Sequence, residues 1–361
     1  MIAEIRLLRL AVPLTTPYKL AMGAVHHFDT ILVSVETDKG TGIGEATILT
    51  GYTDETIEQS WALAQALAPQ LCGVGSDAAK TKALTYFDKA PFMVSAFVSA
   101  LEMAEGHAIL KVDKPVLVPI LAVINAMDPA GIEAEIERSI VAGYGTLKIK
   151  VGFEVDADLA RVKRIQGLNK GRAKLRLDAN QGYSAEQGCR FASALAADSI
   201  ELFEQPCAAE DWDAAVRVAA VSTVPMMLDE SIYGACDIER AATLGAARFI
   251  KLKLMKMGGL DRLAAGLEKI RALGMEPVLG NGVATELGCW MEACVAREHI
   301  TNAGEMNGFL KPSSALLKQP LKAEAGAIRL DPGFTPQLDE QLVSRFTVGS
   351  EHHAARSRAQ A

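Results

Sequence analysis

The sequence predicts an α/β protein, a closed barrel of strand–helix units joined to a smaller α+β domain, and three observations carry that reading. From Val118 onward short apolar runs alternate strictly with amphipathic helical patterns, placing strands near 118–124, 146–151, 174–178, 199–204, 224–228, 248–253, 276–280 and 301–305. Charged signals close successive runs: Lys148-Ile149-Lys150, Asp178-Ala179-Asn180, Glu204-Gln205-Pro206, Asp229-Glu230-Ser231 and Lys251-Leu252-Lys253. They recur at 28 (150 to 178), 26 (178 to 204), 25 (204 to 229) and 24 (229 to 253) residues, one strand plus one crossover helix each time. That puts them at the C-terminal ends of parallel strands, where barrel enzymes keep their chemistry. Residues 1–117 lack this rhythm and open with period-two alternation instead.

Taken in order, Ile5 to Val12 and Thr30 to Thr37 alternate as strands, with Asp38-Lys39-Gly40 a turn before Gly42-Ile43-Gly44-Glu45. Thr56 to Leu71 and Met93 to Leu110 place apolar residues at helical spacing. Residues 118–320 hold the eight strand units with no internal linker, which favours a closed barrel over an open doubly wound sheet. An open sheet would also place a Gly-rich phosphate turn after its first strand, and Asn125-Ala126-Met127-Asp128-Pro129 is not one. Residues 321–345 have strand-like pieces such as Ala327 to Leu330 and are expected to return to the first domain. Residues 346–361, polar and small from Ser350 onward, read as a disordered tail.

With 361 residues, 50% of them hydrophobic, the chain is long enough for two domains. Acids outnumber bases 44 to 37 and the bases are scattered, which argues against a nucleic-acid partner. No run of 18 apolar residues occurs and the N-terminus lacks the pattern of a signal peptide, so the expectation is a cytoplasmic protein without a membrane partner. The six cysteines form no CxxC and read as buried thiols.

A carboxylate ending a buried strand is costly unless a cation meets it, and three on neighbouring strands repel one another. Asp178, Glu204 and Asp229 therefore call for a divalent ion, and an all-oxygen ligand set points to Mg²⁺ rather than zinc. Asn180 and Gln205 are placed to donate hydrogen bonds around them, and Glu230 competes with Asp229 for the third ligand position. Residues i and i+2 share a strand face, so Lys148 and Lys150 point into the barrel mouth, as do Lys251 and Lys253. Neighbouring cations and burial are expected to lower such a lysine's pKa and make it a usable base. With the two pairs four strands apart, a substrate between them would meet an amine on each face of its reacting carbon.

The set Lys148-x-Lys150, Asp178-Ala-Asn180, Glu204-Gln-Pro206, Asp229-Glu-Ser231 and Lys253-Leu-Met-Lys256-x-Gly258-Gly259 resembles the enolase superfamily, specifically its muconate-lactonizing branch, from Ile2 to about Gly333. The resemblance implies a modified (β/α)7β TIM-like barrel with an α+β capping domain. It also implies Mg²⁺ on Asp178, Glu204 and Asp229, Lys150 and Lys253 as the two acid/base groups, and Lys148 as the modulator of Lys150. The implied shared step is removal of the proton next to a carboxylate to give an enediolate. A histidine ending the seventh strand, as in the mandelate-racemase branch, is replaced by Gly280-Asn281-Gly282.

Specificity in this branch comes from two capping-domain loops, here Thr16 to Phe28 and Leu49 to Thr53, and from the eighth strand. Dipeptide epimerases of the branch carry Asp-x-Asp on that strand, whereas this chain has Glu305-Met306-Asn307, a carboxylate and an amide suited to one cationic amine. His26 and Tyr52 fall in the two loops as further candidates for substrate contact. The stretches around Gly280 to Glu292 and Ala303 to Gly308 are most similar to cis-3-hydroxy-L-proline dehydratases, which implies elimination to 1-pyrroline-2-carboxylate. Epimerisation of dipeptides, N-acylamino acids or proline derivatives is the alternative, since both reactions use two opposed lysines. The expected partner is a small amino-acid-like carboxylate, and the resemblance implies a homo-oligomer.

Overall fold

Alternation through Ile5, Leu7, Val33 and Val35, all fully buried, builds an antiparallel sheet from β1 (Ile2–Leu20), β2 (Gly23–Thr37) and β3 (Thr41–Ile48). The computed structural model of the chain describes residues 1–20, 23–49 and 54–355. Three helices cover one face: α1 (Ile57–Leu71), α2 (Ser76–Leu84) and α3 (Pro91–Ala104). Thr56 starts α1 through a capping box with Gln59, where the sequence pattern begins. The expected second helix stops at Ala104, and 108–110 form a separate 3₁₀ turn capped by His107, whose Nδ1 accepts the Ile109 N–H at 3.2 Å.

The barrel follows. The expected first strand is split: β4 (Val116–Pro119) stays outside and β5 (Ala122–Ile124) opens the parallel sheet. Then come α4 (Pro129–Val141), β6 (Thr146–Lys150), α5 (Val155–Asn169), β7 (Lys174–Asp178), α6 (Ala185–Ala194), β8 (Ile200–Glu204) and α7 (Trp212–Val221). The series ends with β9 (Met226–Leu228), α8 (Ala235–Leu244), β10 (Phe249–Leu252), α9 (Leu260–Ala272), β11 (Glu276–Leu279) and α10 (Glu286–His299). The seven strands β5 to β11 lie side by side in sequence order. Segment 303–305 closes the ring: the Glu305 N–H donates to Leu279 at 3.0 Å on one side, and Gly304 exchanges bonds with Pro119 and Leu121, each 2.9 Å, on the other. A 3₁₀ turn follows this eighth segment instead of a helix, giving seven β/α units and a closing strand. Leu202, Met227, Phe249 and Val278 fill the barrel interior, and the residues two further along β8 to β10 carry charge.

The C-terminal segment follows expectation only in part. β12 (Lys322–Glu324) and β13 (Ala327–Leu330) form a hairpin on β4. The end of the segment does return to the first domain, through α11 (Glu340–Phe346), where Glu340 meets Arg6 of β1, and β14 (Thr347–Ala354) continues it. The expected disordered tail is corrected up to residue 355, while 356–361 lie outside the described residues: β14 pairs antiparallel with β1 from Leu10↔Thr347 to Glu4↔Ala354. Its side chains are polar and its burial slight, so composition hid it; the open edge of β1 supplies the backbone partners that order it. Leu8, Leu10, Val12, Phe28 and Leu32, on the sheet face away from α1 to α3, join a core shared with Leu287 and Trp290 of α10 and Val343 of α11. No helix among the described residues is long and apolar enough to cross a membrane.

Closure of the ring depends on Gly280, which takes φ +134° and where a Cβ would lie 2.5 Å from the Glu305 nitrogen. Gly280→Ala is expected to cost about 2 kcal/mol or more in chemical denaturation. Gly167→Ala, inside α5 with open space around it, should be neutral or stabilising by up to about 1 kcal/mol.

Candidate active site

Strand register assembles the site. Lys150 lies beside Asp178 and Asp178 beside Glu204 in the parallel ladder, while Asp229 and Lys251 each follow the Leu228–Ile250 pair of β9 and β10 by one residue. Beyond the strand ends the backbone is forced into left-handed conformations at residues other than glycine: Asn180 at φ 41°, Gln181 at 68° and Gln205 at 36°. Hydrogen bonds hold these turns. The Asn180 N–H donates to Asp178 Oδ1 at 2.9 Å, and the Asn180 amide donates to Glu230 Oε1 at 2.9 Å. Gln205 accepts the N–H groups of Asp229 (3.0 Å) and Ser231 (3.3 Å) and donates to Cys207 O (3.1 Å) and Ser231 Oγ (2.8 Å). Gln205 thus ties β8 to the Asp229-Glu230-Ser231 turn, which is why an amide follows the carboxylate of Glu204.

The structure brings all the strand-end acids and lysines together. Lys148 Nζ lies 2.9 Å from Asp178, 3.0 Å from Glu204 and 2.7 Å from Glu305. Lys150 meets Asp178 Oδ2 at 2.5 Å and also Asn180 Oδ1. Lys251 bridges Glu204 (3.0 Å), Asp229 (3.5 Å) and Glu305. Lys253 donates to Asp229 Oδ2 at 2.8 Å, and Lys256 donates to the Asp229 carbonyl at 2.9 Å with its ammonium over the Tyr233 ring. All of these charged groups except Lys150 are buried.

Charge and burial separate the lysines. Burial works against the ammonium of Lys148 and of Lys251, but the surrounding carboxylates outweigh it and raise both pKa values. The expectation that every inward lysine is depressed is therefore corrected: Lys148 and Lys251 are fixed counter-charges. Lys253 goes the other way, held well below its usual pKa by burial and by the neighbouring Lys256. Among the acids, burial opposes ionisation of Asp178, yet Lys148, Lys150 and Lys251 keep it low. Burial and Asp178 push Glu204 up to about 7, and burial with Asp229 pushes Glu230 up to about 8.

The donor set is of the kind a hard divalent cation takes, with Lys148 and Lys251 lying between the carboxylates. The donor atoms are all carboxylate oxygens, and Glu204 Oε2 and Glu230 Oε2 are buried without a well-directed hydrogen-bond donor, although Lys148 Nζ stands 3.0 Å from the former. Burial is the main cause that raises Glu204 and Glu230, and a hard dication beside them would favour their ionised forms. A separate cluster of Glu102, His107 and Asp261 lies at the start of α9, where both Glu102 oxygens already accept backbone N–H groups.

The remaining candidates scatter. Glu305, the candidate for a substrate amine, already meets Lys148 and Lys251; burial works against its ionisation, but the pull of the two ammonium groups outweighs it and holds the carboxyl well below its usual range. Asn307 is buried, its amide donating to Leu121 O at 3.2 Å while Oδ1 has no hydrogen-bond partner among the described residues. His26 is exposed on β2, and Tyr52 lies outside the described residues. Sequence reasoning missed Glu292, whose Oε1 accepts the Leu254 N–H at 2.9 Å beside Lys253 and whose pKa burial raises to about 7. An acid inside the apolar run Cys289 to Val295 was the available signal.

Comparison with known proteins agrees with this geometry. Residues 2–114 match the N-terminal domain of the mandelate racemase/muconate lactonizing enzyme family, and residues 131–342 match the enolase C-terminal domain-like family. The aromatic dipeptide epimerase of Herpetosiphon aurantiacus is 32% identical over 82% of this chain and 84% of its own length. The L-Ala-D/L-Glu epimerase of Bacillus subtilis is 29% identical over 91% of this chain and 96% of its own length. Among solved structures, the muconate lactonizing enzyme of Pseudomonas fluorescens in complex with muconolactone superposes with a TM-score of 0.87 at 26% identity, covering 96% of this chain and 99% of that one. With both domains matched, the barrel closed as expected and the carboxylates and lysines gathered at its mouth, the chain belongs to the mandelate racemase/muconate lactonizing enzyme family of the enolase superfamily.

Proposed function

We propose that the protein epimerises or racemises an amino-acid-derived carboxylate, a dipeptide, N-acylamino acid or proline derivative, at the carbon next to the carboxylate. The observation that carries this is the flanking of the acid cluster by two amines, Lys150 against Asp178 on β6 and Lys253 against Asp229 beyond β10. Inversion at carbon needs a base on one face and an acid on the other, and lysines four strands apart provide both. The curated relatives above are epimerases, which supports isomerisation over elimination.

Asp178, Glu204 and Asp229 would hold Mg²⁺, with Asn180 and Gln205 orienting the ligands and Glu230 alongside. When bound, the ion supplies positive charge to the substrate carboxylate, where negative charge grows as the proton leaves. Lys148 and Lys251 favour the ionised forms of Asp178 and Glu204 and hold the carboxylates in place. Lys150 and Lys253 then exchange roles with the direction of reaction, one taking the proton and the other returning one to the opposite face.

A second reading, dehydration of cis-3-hydroxy-L-proline, rests on the sequence resemblance of the eighth segment, where Glu305-Met306-Asn307 stands in place of the Asp-x-Asp expected of a dipeptide epimerase of this branch. Incubation of an amino-acid-derivative library in D₂O with Mg²⁺ separates the two. Deuterium at the α-carbon with recovery of both epimers supports isomerisation, while 1-pyrroline-2-carboxylate from cis-3-hydroxy-L-proline establishes the second reading in its place. Absence of exchange across dipeptides, N-acylamino acids and proline derivatives refutes the proposal.

Lys150→Ala and Lys253→Ala should each lower turnover by about 10² to 10⁴-fold with an unchanged circular dichroism spectrum. Asp229→Asn should weaken Mg²⁺ binding by about tenfold or more in calorimetry, and Glu230→Gln should weaken it less. The reverse order would make Glu230 the third ligand.

A further inference from the structure

The Lys256-x-Gly258-Gly259 stretch is explained by packing. Gly259 has φ +130°, and a Cβ there would come within 2.6 Å of Val98 and 3.0 Å of both Glu102 oxygens, all on α3 of the capping domain. The segment from Lys253 to α9 is the seat of that helix. Ser95 Oγ lies 3.0 Å from the Met255 carbonyl and accepts the Gly258 N–H at 3.0 Å. Glu102 accepts the Leu260 N–H at 2.7 Å and the Asp261 N–H at 3.1 Å, acting as the N-cap of α9, whose own cap residue Gly259 has no side chain. Met255, two residues past Lys253, is buried in the core of the capping domain rather than in that of the barrel. The pattern repeats one strand on, where Glu45 of β3 accepts the N–H groups of Thr285 (2.6 Å) and Gly288 (2.9 Å) at the start of α10.

Lys150 is held differently. Its carbonyl accepts from Arg161 at 2.6 Å, and the next turn is capped by Asp158 through Gly152 (3.1 Å) and Phe153 (2.9 Å), both anchors lying on α5 of the barrel itself. The segment after Lys253 thus rests on the capping domain as well as on Glu292 of α10, whereas the turn after Lys150 rests on the barrel alone.

We propose that Ser95 and Glu102 are positioning residues for the reaction, through which the docked capping domain sets Lys253 and leaves Lys150 to the barrel. This rests on the two-lysine reading above. Small displacements of an acid/base group lower the rate of proton transfer steeply, so loosening the seat acts on one face of the substrate.

The test uses Ser95→Ala and Glu102→Gln in the full chain. Glu102→Gln is the milder change, since the glutamine oxygen still accepts one N–H while its amide cannot accept the second. Backbone hydrogen exchange of the protein alone should accelerate at least tenfold at 254–261 and stay unchanged at 151–158. With the two epimers of a library compound that wild type exchanges, α-deuterium exchange initiated at the Lys253 face should fall at least tenfold relative to the Lys150 face, with KM within about twofold. Unchanged hydrogen exchange at 254–261, or equal loss on both faces, overturns the proposal. If wild type exchanges no library compound, the proposed function fails, and the hydrogen-exchange contrast alone still decides how the two segments are mounted.

Discussion

Five acids, Asp178, Glu204, Asp229, Glu230 and Glu305, face five lysines, Lys148, Lys150, Lys251, Lys253 and Lys256, at the mouth of a barrel whose layer beneath is apolar. An ionised side chain is tolerated there only if its partner lies within contact distance, and removing one partner of a buried pair typically costs about 3–5 kcal/mol. The strand register is what makes the pairing possible, since a slip of one residue on β6 or β10 would turn each lysine out of the barrel. The cluster is formally neutral as it stands, so any dication it holds leaves the mouth positive for a carboxylate substrate. Lys251 matters here as much as the acids: it bridges Glu204, Asp229 and Glu305 and joins the fourth, fifth and eighth positions of the ring.

Around this cluster the chain is organised as two bodies meeting at helix starts. α9 and α10 begin without side-chain caps of their own, and carboxylates of the other domain, Glu102 and Glu45, supply the missing acceptors. A helix N-terminus carries unsatisfied N–H groups and a positive dipole end, so a buried carboxylate brought to it gains hydrogen bonds and a favourable field together. Domain docking and loop geometry are therefore one interaction, and the strands that carry Lys253 and Gly280 are the ones fixed by it. The β6 and β7 loops rely on barrel residues such as Asp158, which accepts from Gly152, Phe153 and Tyr183.

What could be read in advance follows from local geometry. Alternation on a strand is a property of consecutive residues, so Lys148 and Lys150, or Asp178 at a strand end, announce their direction in the sequence. β14 could not be found this way, because nothing in Thr347 to Ala354 is apolar enough to signal a strand; its order comes from the edge of β1 more than 330 residues earlier. Glu292 and Glu102 read as ordinary helix residues, and only the packing of α10 and α3 against the segment after β10 shows what they accept.

The sequence by itself determined the α/β class, the order of the strands, the spacing of the charges and the family, because these depend on periodicity and on motifs a few residues long. Tertiary structure alone decided which lysine's pKa rises and which falls, since Lys148 and Lys251 sit among several carboxylates whereas Lys253 is buried beside another lysine. It also decided that Glu305 is paired inside the barrel and that Ser95 and Glu102 reach the Lys253 segment. A side chain's charge state depends on its distance to groups far away in sequence, and those distances exist only once the ring has closed.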